Sequence, residues 1–142
     1  MSNVIKHFME LILKRNIYFP DAIHGKISWG AVNVCCTVEH PDYCLPKGTY
    51  KLQLYKRVLY DEETYEIRVF KCQKYARKQL GVLCAGNGTH ELNKPTIYVG
   101  QYQCRGLVVK GAYYMSRLID DIEAATENEE VLLTIEETLG HP

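Results

Sequence analysis

Alternation of apolar and polar residues dominates this chain. Over residues 48–54, Tyr50, Leu52 and Leu54 fall on one side of an extended backbone, and Lys51, Gln53 and the following Tyr55 fall on the other, because successive strand side chains point to opposite faces. Residues 65–70 repeat the pattern, with Tyr65, Ile67 and Val69 opposed to Glu66, Arg68 and Phe70, and Asp61-Glu62-Glu63 between the two reads as a hairpin connection. Dense apolar residues with charges at the ends predict a strand at 8–15. Pro20 precedes a predicted turn at 21–25, which leads to a short strand at 26–29. Gly30-Ala31 breaks the pattern before a strand at 32–38 rich in β-formers. Pro41 and Pro46 mark 39–47 as a loop, and 72–78 reads as another. Further strands are predicted at 80–85, 97–100 and 107–110. After Gly111 the period changes: Tyr114, Leu118 and Ile122 recur at helical spacing beside Met115 and Ile119, with Arg117, Asp120, Asp121 and Glu123 on the other face. Asn128 is the predicted helix stop. Val131, Leu133 and Ile135 define a last strand at 130–136.

Many short strands and one late helix predict a β-rich α+β fold, either a single compact mixed or antiparallel sheet or a small barrel, with one C-terminal helix and a closing strand. The 142 residues suit one domain spanning 1–142, since a chain of roughly 150 residues buries about 70% of its unfolded surface.

Charge narrows the function. Lys plus Arg and Asp plus Glu both number 17, for a formal net charge of zero, which argues against nucleic acid, whose phosphates demand a cationic excess. Cations do gather in the middle third, at Lys47, Lys51, Lys56, Arg57, Lys71, Lys74, Arg77 and Lys78, while acids gather from Asp120 to Glu137; a solvated basic sheet face is the plain reading of such a run. No run reaches the ~20 apolar residues of a membrane span, and the first residues lack the uninterrupted apolar core of a signal peptide. The six cysteines (35, 36, 44, 72, 84, 104) are therefore expected to be free thiols in a reducing compartment. Asn87-Gly88-Thr89 is a sequon without a secretory context.

The glycine-punctuated run Gly81-Val82-Leu83-Cys84-Ala85-Gly86-Asn87-Gly88, followed by Thr96-Ile97-Tyr98-Val99-Gly100, is the strongest candidate site, because clustered glycines let backbone shape a surface. With Leu11-Ile12-Leu13-Lys14-Arg15, Ile23-His24-Gly25-Lys26-Ile27, Cys36-Thr37-Val38-Glu39 and Leu45-Pro46-Lys47-Gly48-Thr49-Tyr50, it resembles a family of small phage and bacterial proteins known only as a domain of unknown function. That family reads Leu-x-Leu-x-Arg, Thr-Ile-Gly-x-Leu, Cys-x-Thr-Leu-Glu, Ile-Pro-x-Gly-x-Tyr, then His-x-Gly-Asn and Gly-Cys-Ile-x-Val-Gly. The last two motifs resemble in turn the L,D-transpeptidase active site, where a histidine base serves a cysteine nucleophile. Here Cys84 stands for the histidine, Thr96 for the cysteine and Pro95 for the preceding glycine. The resemblance therefore implies a retained loop and lost chemistry, since a thiol needs a base or an electropositive setting to react.

These residues define the expectations. Ligand-binding candidates are Cys84, Gly86, Asn87, Gly88, Thr96 and Arg105, with backbone N–H groups of 86–88 available to an anion. An enzyme would need a relocated pair, Cys104 as nucleophile and His90 as base. No Cys-x(2–4)-Cys knuckle marks a zinc site; His24, His40 and Cys44 are the loose alternative, and no metal is assigned. Neither a phosphate-binding loop nor a dinucleotide fingerprint is present, so no cofactor is assigned. Of the tyrosines, Tyr50 and Tyr65 fall on apolar strand faces, Tyr113 and Tyr114 open the helix, and Tyr55, Tyr60 and Tyr75 interleave with basic residues. The reading is a non-catalytic phage-type structural or binding module. Its expected partner is protein (itself, a virion or a host factor) or a small anionic ligand, with neither nucleic acid nor membrane, in the host cytoplasm or a virion. The alternative is a cysteine-dependent cell-wall hydrolase or L,D-transpeptidase-like enzyme.

Overall fold

The computed structural model describes residues 7–86, 95–127 and 129–138. Nine strands and one helix follow in the order β1 (His7–Tyr18), β2 (Ile23–Trp29), β3 (Val32–Glu39), β4 (Gly48–Leu59), β5 (Glu62–Lys71), β6 (Gln79–Ala85), β7 (Thr96–Cys104), β8 (Leu107–Val109), α1 (Gly111–Thr126) and β9 (Glu129–Glu137). The strands pair in the order β3-β2-β1-β9-β4-β5-β6-β7, and β3 also pairs with β7. Eight strands thus close into a barrel, with β8 outside the ring and bonded to β7. The pairings β1–β9 and β6–β7 are parallel; the others are antiparallel. The fold is the barrel form of the β-rich α+β architecture that the sequence predicts.

Alternation decides what fills it. Met9, Leu11 and Leu13 of β1, Ile27 of β2, Leu52 of β4, Ile67 and Val69 of β5, Leu83 of β6, Ile97 and Val99 of β7, and Val131, Leu133 and Ile135 of β9 converge in one core. Helix α1 touches β3, β4, β6, β7 and β9, which lie on different sides of the ring, so it crosses one end of the barrel and drives Met115, Leu118 and Ile122 into that core. Fully burying each such side chain stabilises the fold by about 1.5–3 kcal/mol.

The opposite end is closed by charge. Arg15 continues the inward row of Met9, Leu11 and Leu13, and it is 1% exposed. Its Nε and Nη2 donate to the two carboxylate oxygens of fully buried Glu39 at 3.0 and 2.8 Å, and Nη2 also donates to the Leu45 carbonyl at 2.6 Å. Nη1 reaches Glu137 at 3.3 Å. One guanidinium thus ties β1 to β3, to β9 and to the loop after β3. Glu39 and the other attractions hold Arg15 charged, above the usual arginine range; burial pushes the Glu39 carboxyl up from its ordinary value while Arg15 pulls against that shift. Tyr50 adds a bond from its hydroxyl to the Pro46 carbonyl, fastening the same loop to β4.

Several boundaries differ from expectation. The predicted turn at 21–25 gives way to strand from Ile23, because His24 and Gly25 find partners on both sides, in β1 and in β3. Gly25 is needed there: a Cβ would lie 2.7 Å from the Lys14 carbonyl oxygen. The hairpin connection predicted at 61–63 is instead a two-residue turn at Tyr60-Asp61, with φ of 53° and 62°, and Glu62 and Glu63 belong to β5. Since β4 pairs with β9 as far as Leu52, and β5 with β6 as far as Ile67, the remaining halves of β4 and β5 form a two-stranded arm. The strand predicted at 97–100 runs on to Cys104. Glu127 caps the helix C-terminus, and Asn128 lies outside the described residues.

The ion pair yields a prediction. Replacing Glu39 alone with leucine leaves a buried, uncompensated guanidinium and should cost about 3–5 kcal/mol, whereas the double variant Arg15→Met with Glu39→Leu should recover most of that loss. Urea denaturation of the two single variants and the double variant measures it.

Candidate functional site

The outer wall carries a second layer. At Gly100 β7 leaves the ring, and a Cβ there would sit 2.6 Å from the Val109 carbonyl oxygen. Residues 101–109 then form a short β7–β8 strap over the outside of β2 and β3. Beneath it, Ala22, Val38, Tyr98 and Val108 make a small apolar cluster with Phe19 and Cys84 packed against it. The strap tip is tied down twice. Arg105 pairs with Asp21 at 2.9 Å, with its guanidinium carbon 5.0 Å from the Phe19 ring centroid. The Gly106 N–H donates to Nε2 of His24 at 2.8 Å.

His24 is the unusual residue of this layer. It is 2% exposed and lies edge-on to Tyr102, with ring centroids 4.8 Å apart. Because Nε2 accepts a hydrogen bond, the neutral ring carries its proton on Nδ1, which interacts with the Thr37 backbone without a well-formed hydrogen bond. Burial lowers the imidazole pKa from the ordinary histidine value, against a weaker upward pull from the Thr37 backbone.

Along the strap edge runs a groove of about 360 Å³, lined by Asn16, Ile17, His24, Lys26, Gln101 and Tyr102, with Cys36 also on its wall. A neighbouring hollow of about 170 Å³ shares Lys26, Cys36 and Gln101 and extends to Val34 and Tyr114. No carboxylate lines either one.

Of the sequence-predicted site residues, Cys84, Gly86, Thr96, Cys104 and Arg105 are among the described ones. Cys84 is half-buried against the outer cluster, opposite Tyr98 in the β6–β7 register. Thr96 is 6% exposed in β7. Gly86 backs onto Tyr98, whose ring would lie 2.4 Å from a Cβ; close ring packing, rather than a ligand, accounts for that glycine. Arg105 is committed to Asp21, and Cys104 is exposed at the strap end. Asn87, Gly88 and His90 lie outside the described residues.

All six cysteines are free thiols. Burial pushes Cys35 up to about 12 and Cys84 up to about 11, and it also raises Cys44. Cys35 and Cys36 face opposite sides of β3, the first buried and the second on the groove wall. Among the described residues no three His, Cys, Asp or Glu side chains gather closely enough to hold a metal. His40 accepts from the Asp42 N–H and Cys44 donates to the Pro41 carbonyl, each within its own loop. Among the described residues no helix is long and apolar enough to cross a membrane.

Compared with protein-family models, with curated proteins and with solved structures, the chain matches none.

The depressed pKa of His24 sets a pH dependence. Between the ordinary histidine value of 6.5 and the lower folded value, the unfolded chain binds a proton that the folded chain refuses, so stability should fall as pH drops below 6.5. Urea midpoints measured across that range should show the slope, and His24→Gln should flatten it.

Proposed function

We propose that this protein is a non-catalytic binding module that works from the outside of a sealed barrel. The supporting observation is the closure itself. Leucine, isoleucine and valine side chains fill the interior, α1 covers one end and the Arg15–Glu39 pair blocks the other. Small ligand-carrying barrels keep a cavity among their inward side chains; here those side chains meet one another.

Two further observations favour binding over catalysis. The thiol at Cys84 is shifted up by burial, away from the thiolate that a nucleophile requires. Thr96, which stands where the resembled family has cysteine, is buried within a strand pairing. The surface, by contrast, offers contact area: Trp29, Val32, Val58, Tyr60, Tyr75 and Tyr113 are all exposed. The role as a phage-type accessory or host-directed protein, in a virion or in the host cytoplasm, rests on the resemblance of the sequence motifs. A protein partner and a small anionic ligand are both consistent with that outer surface.

Thiol reactivity tests the reading. In iodoacetamide labelling at neutral pH resolved by peptide mass spectrometry, exposed Cys72 and Cys104 should react first at the pace of a free cysteine peptide, and Cys84 and Cys35 last. A single cysteine reacting far ahead of that peptide would mean an activated nucleophile, and the enzymatic alternative would replace this reading.

A further inference from the structure

The outer face of the barrel carries two adjacent lysines, with a carboxylate beside the first of them in the neighbouring strand. Lys14 of β1 and Lys26 of β2 are direct cross-strand partners. Both are exposed on the outward side, with Cβ atoms about 4.5–5.5 Å apart by sheet geometry, and like charges so placed repel. Neither has an ion-pair partner among the described residues. Glu136 stands next to Lys14 in the β1–β9 register without bonding to it. On the other side of Lys26 the same row continues to Cys36.

Lys26 and Cys36 of that row line the strap groove, and Lys14 stands beside Lys26 on the same outer face, outside the lining. Asn16 and Gln101 offer amide donors, Ile17 and the Tyr102 ring offer flat apolar contact, and the buried His24 ring completes the wall. A volume of about 360 Å³ suits a small molecule rather than a chain segment.

We propose that this groove is a binding site for a small organic anion with a flat apolar body, its carboxylate or phosphate held by Lys26 and its body lying along Ile17 and Tyr102. An anion at that point gives Lys26 a charge-assisted hydrogen bond and offsets its repulsion with Lys14. The proposal deepens the binding-module reading and rests on it, since a barrel with a sealed interior can hold such a ligand only on its outer wall.

Cys36 reports occupancy directly, because its thiol lies on the groove wall. The probe is phenyl phosphate, and the readout is the iodoacetamide labelling rate of Cys36 with Cys72 and Cys104 as internal controls at constant ionic strength. Saturable slowing at Cys36 alone is expected, by about tenfold at ten times the Kd. The variant Lys26→Met, folded as judged by circular dichroism, should weaken the probe by about tenfold or more. The proposal is overturned by equal slowing with phenol or with inorganic phosphate, by equal slowing in the Lys26 variant, or by no saturation. Its failure is distinct from failure of the binding-module reading, which would show as unusually fast labelling of one thiol before any probe is added.

Discussion

A single buried guanidinium organises this fold. Arg15 sits at the end of an inward row that is otherwise aliphatic, and its fork is met by both oxygens of Glu39 and by the Leu45 carbonyl. The strands it joins, β1 and β3, are not neighbours, because β2 lies between them. Cross-strand hydrogen bonds fix each strand to the next, but they do not fix how the wall curves as a whole. A bond from β1 across the interior to β3, with a further contact to β9, does constrain that curvature. Such a pair is expensive to desolvate and contributes little net stability against apolar replacements; what it supplies here is closure of the end that the helix does not reach.

On the proposed reading, closure at both ends leaves the outer wall as the place for binding. The β7–β8 strap is the main feature there, and it depends on the barrel in two ways. Its departure from the ring requires the bare backbone of Gly100, and its tip is latched to His24 and Asp21 on the β1–β2 side. Protonation of His24 would turn Nε2 from acceptor to donor and so remove the Gly106 bond. The latch is therefore coupled to the charge state of one buried ring, and the groove along the strap edge is coupled to the latch.

Much of the barrel is legible in the sequence. Alternation locates all nine strands, and the change of period locates the helix with its buried face of Met115, Leu118 and Ile122. Other features are decided by distant partners and leave no local trace. Nothing in residues 130–136 says that they insert between β1 and β4, parallel to one and antiparallel to the other. The Tyr60-Asp61 turn lacks the glycine or asparagine that announces left-handed positions, so the hairpin reads short. Residues 21–25 read as a turn because Pro20, Asp21 and Gly25 are turn formers, yet two flanking strands recruit His24 and Gly25. In the glycine run, Gly86 has a reason that no local pattern announces, the Tyr98 ring packed against its backbone. The ion pair did leave a signal: Leu11, Leu13 and Arg15 share a face, and an arginine in an aliphatic row implies a buried acidic partner. The three motifs ending in Arg15, Glu39 and Tyr50 meet at that one end of the barrel.

The interior is packed and closed, and the proposed binding on the outside depends on that. Xenon enters accessible apolar cavities and shifts the methyl signals that line them. In methyl-resolved NMR under xenon pressure, the signals of Leu11, Leu52, Leu83 and Leu133 should move no more than those of an exposed methyl such as Val58. Saturable shifts confined to those four leucines would reveal an open lumen and contradict the account.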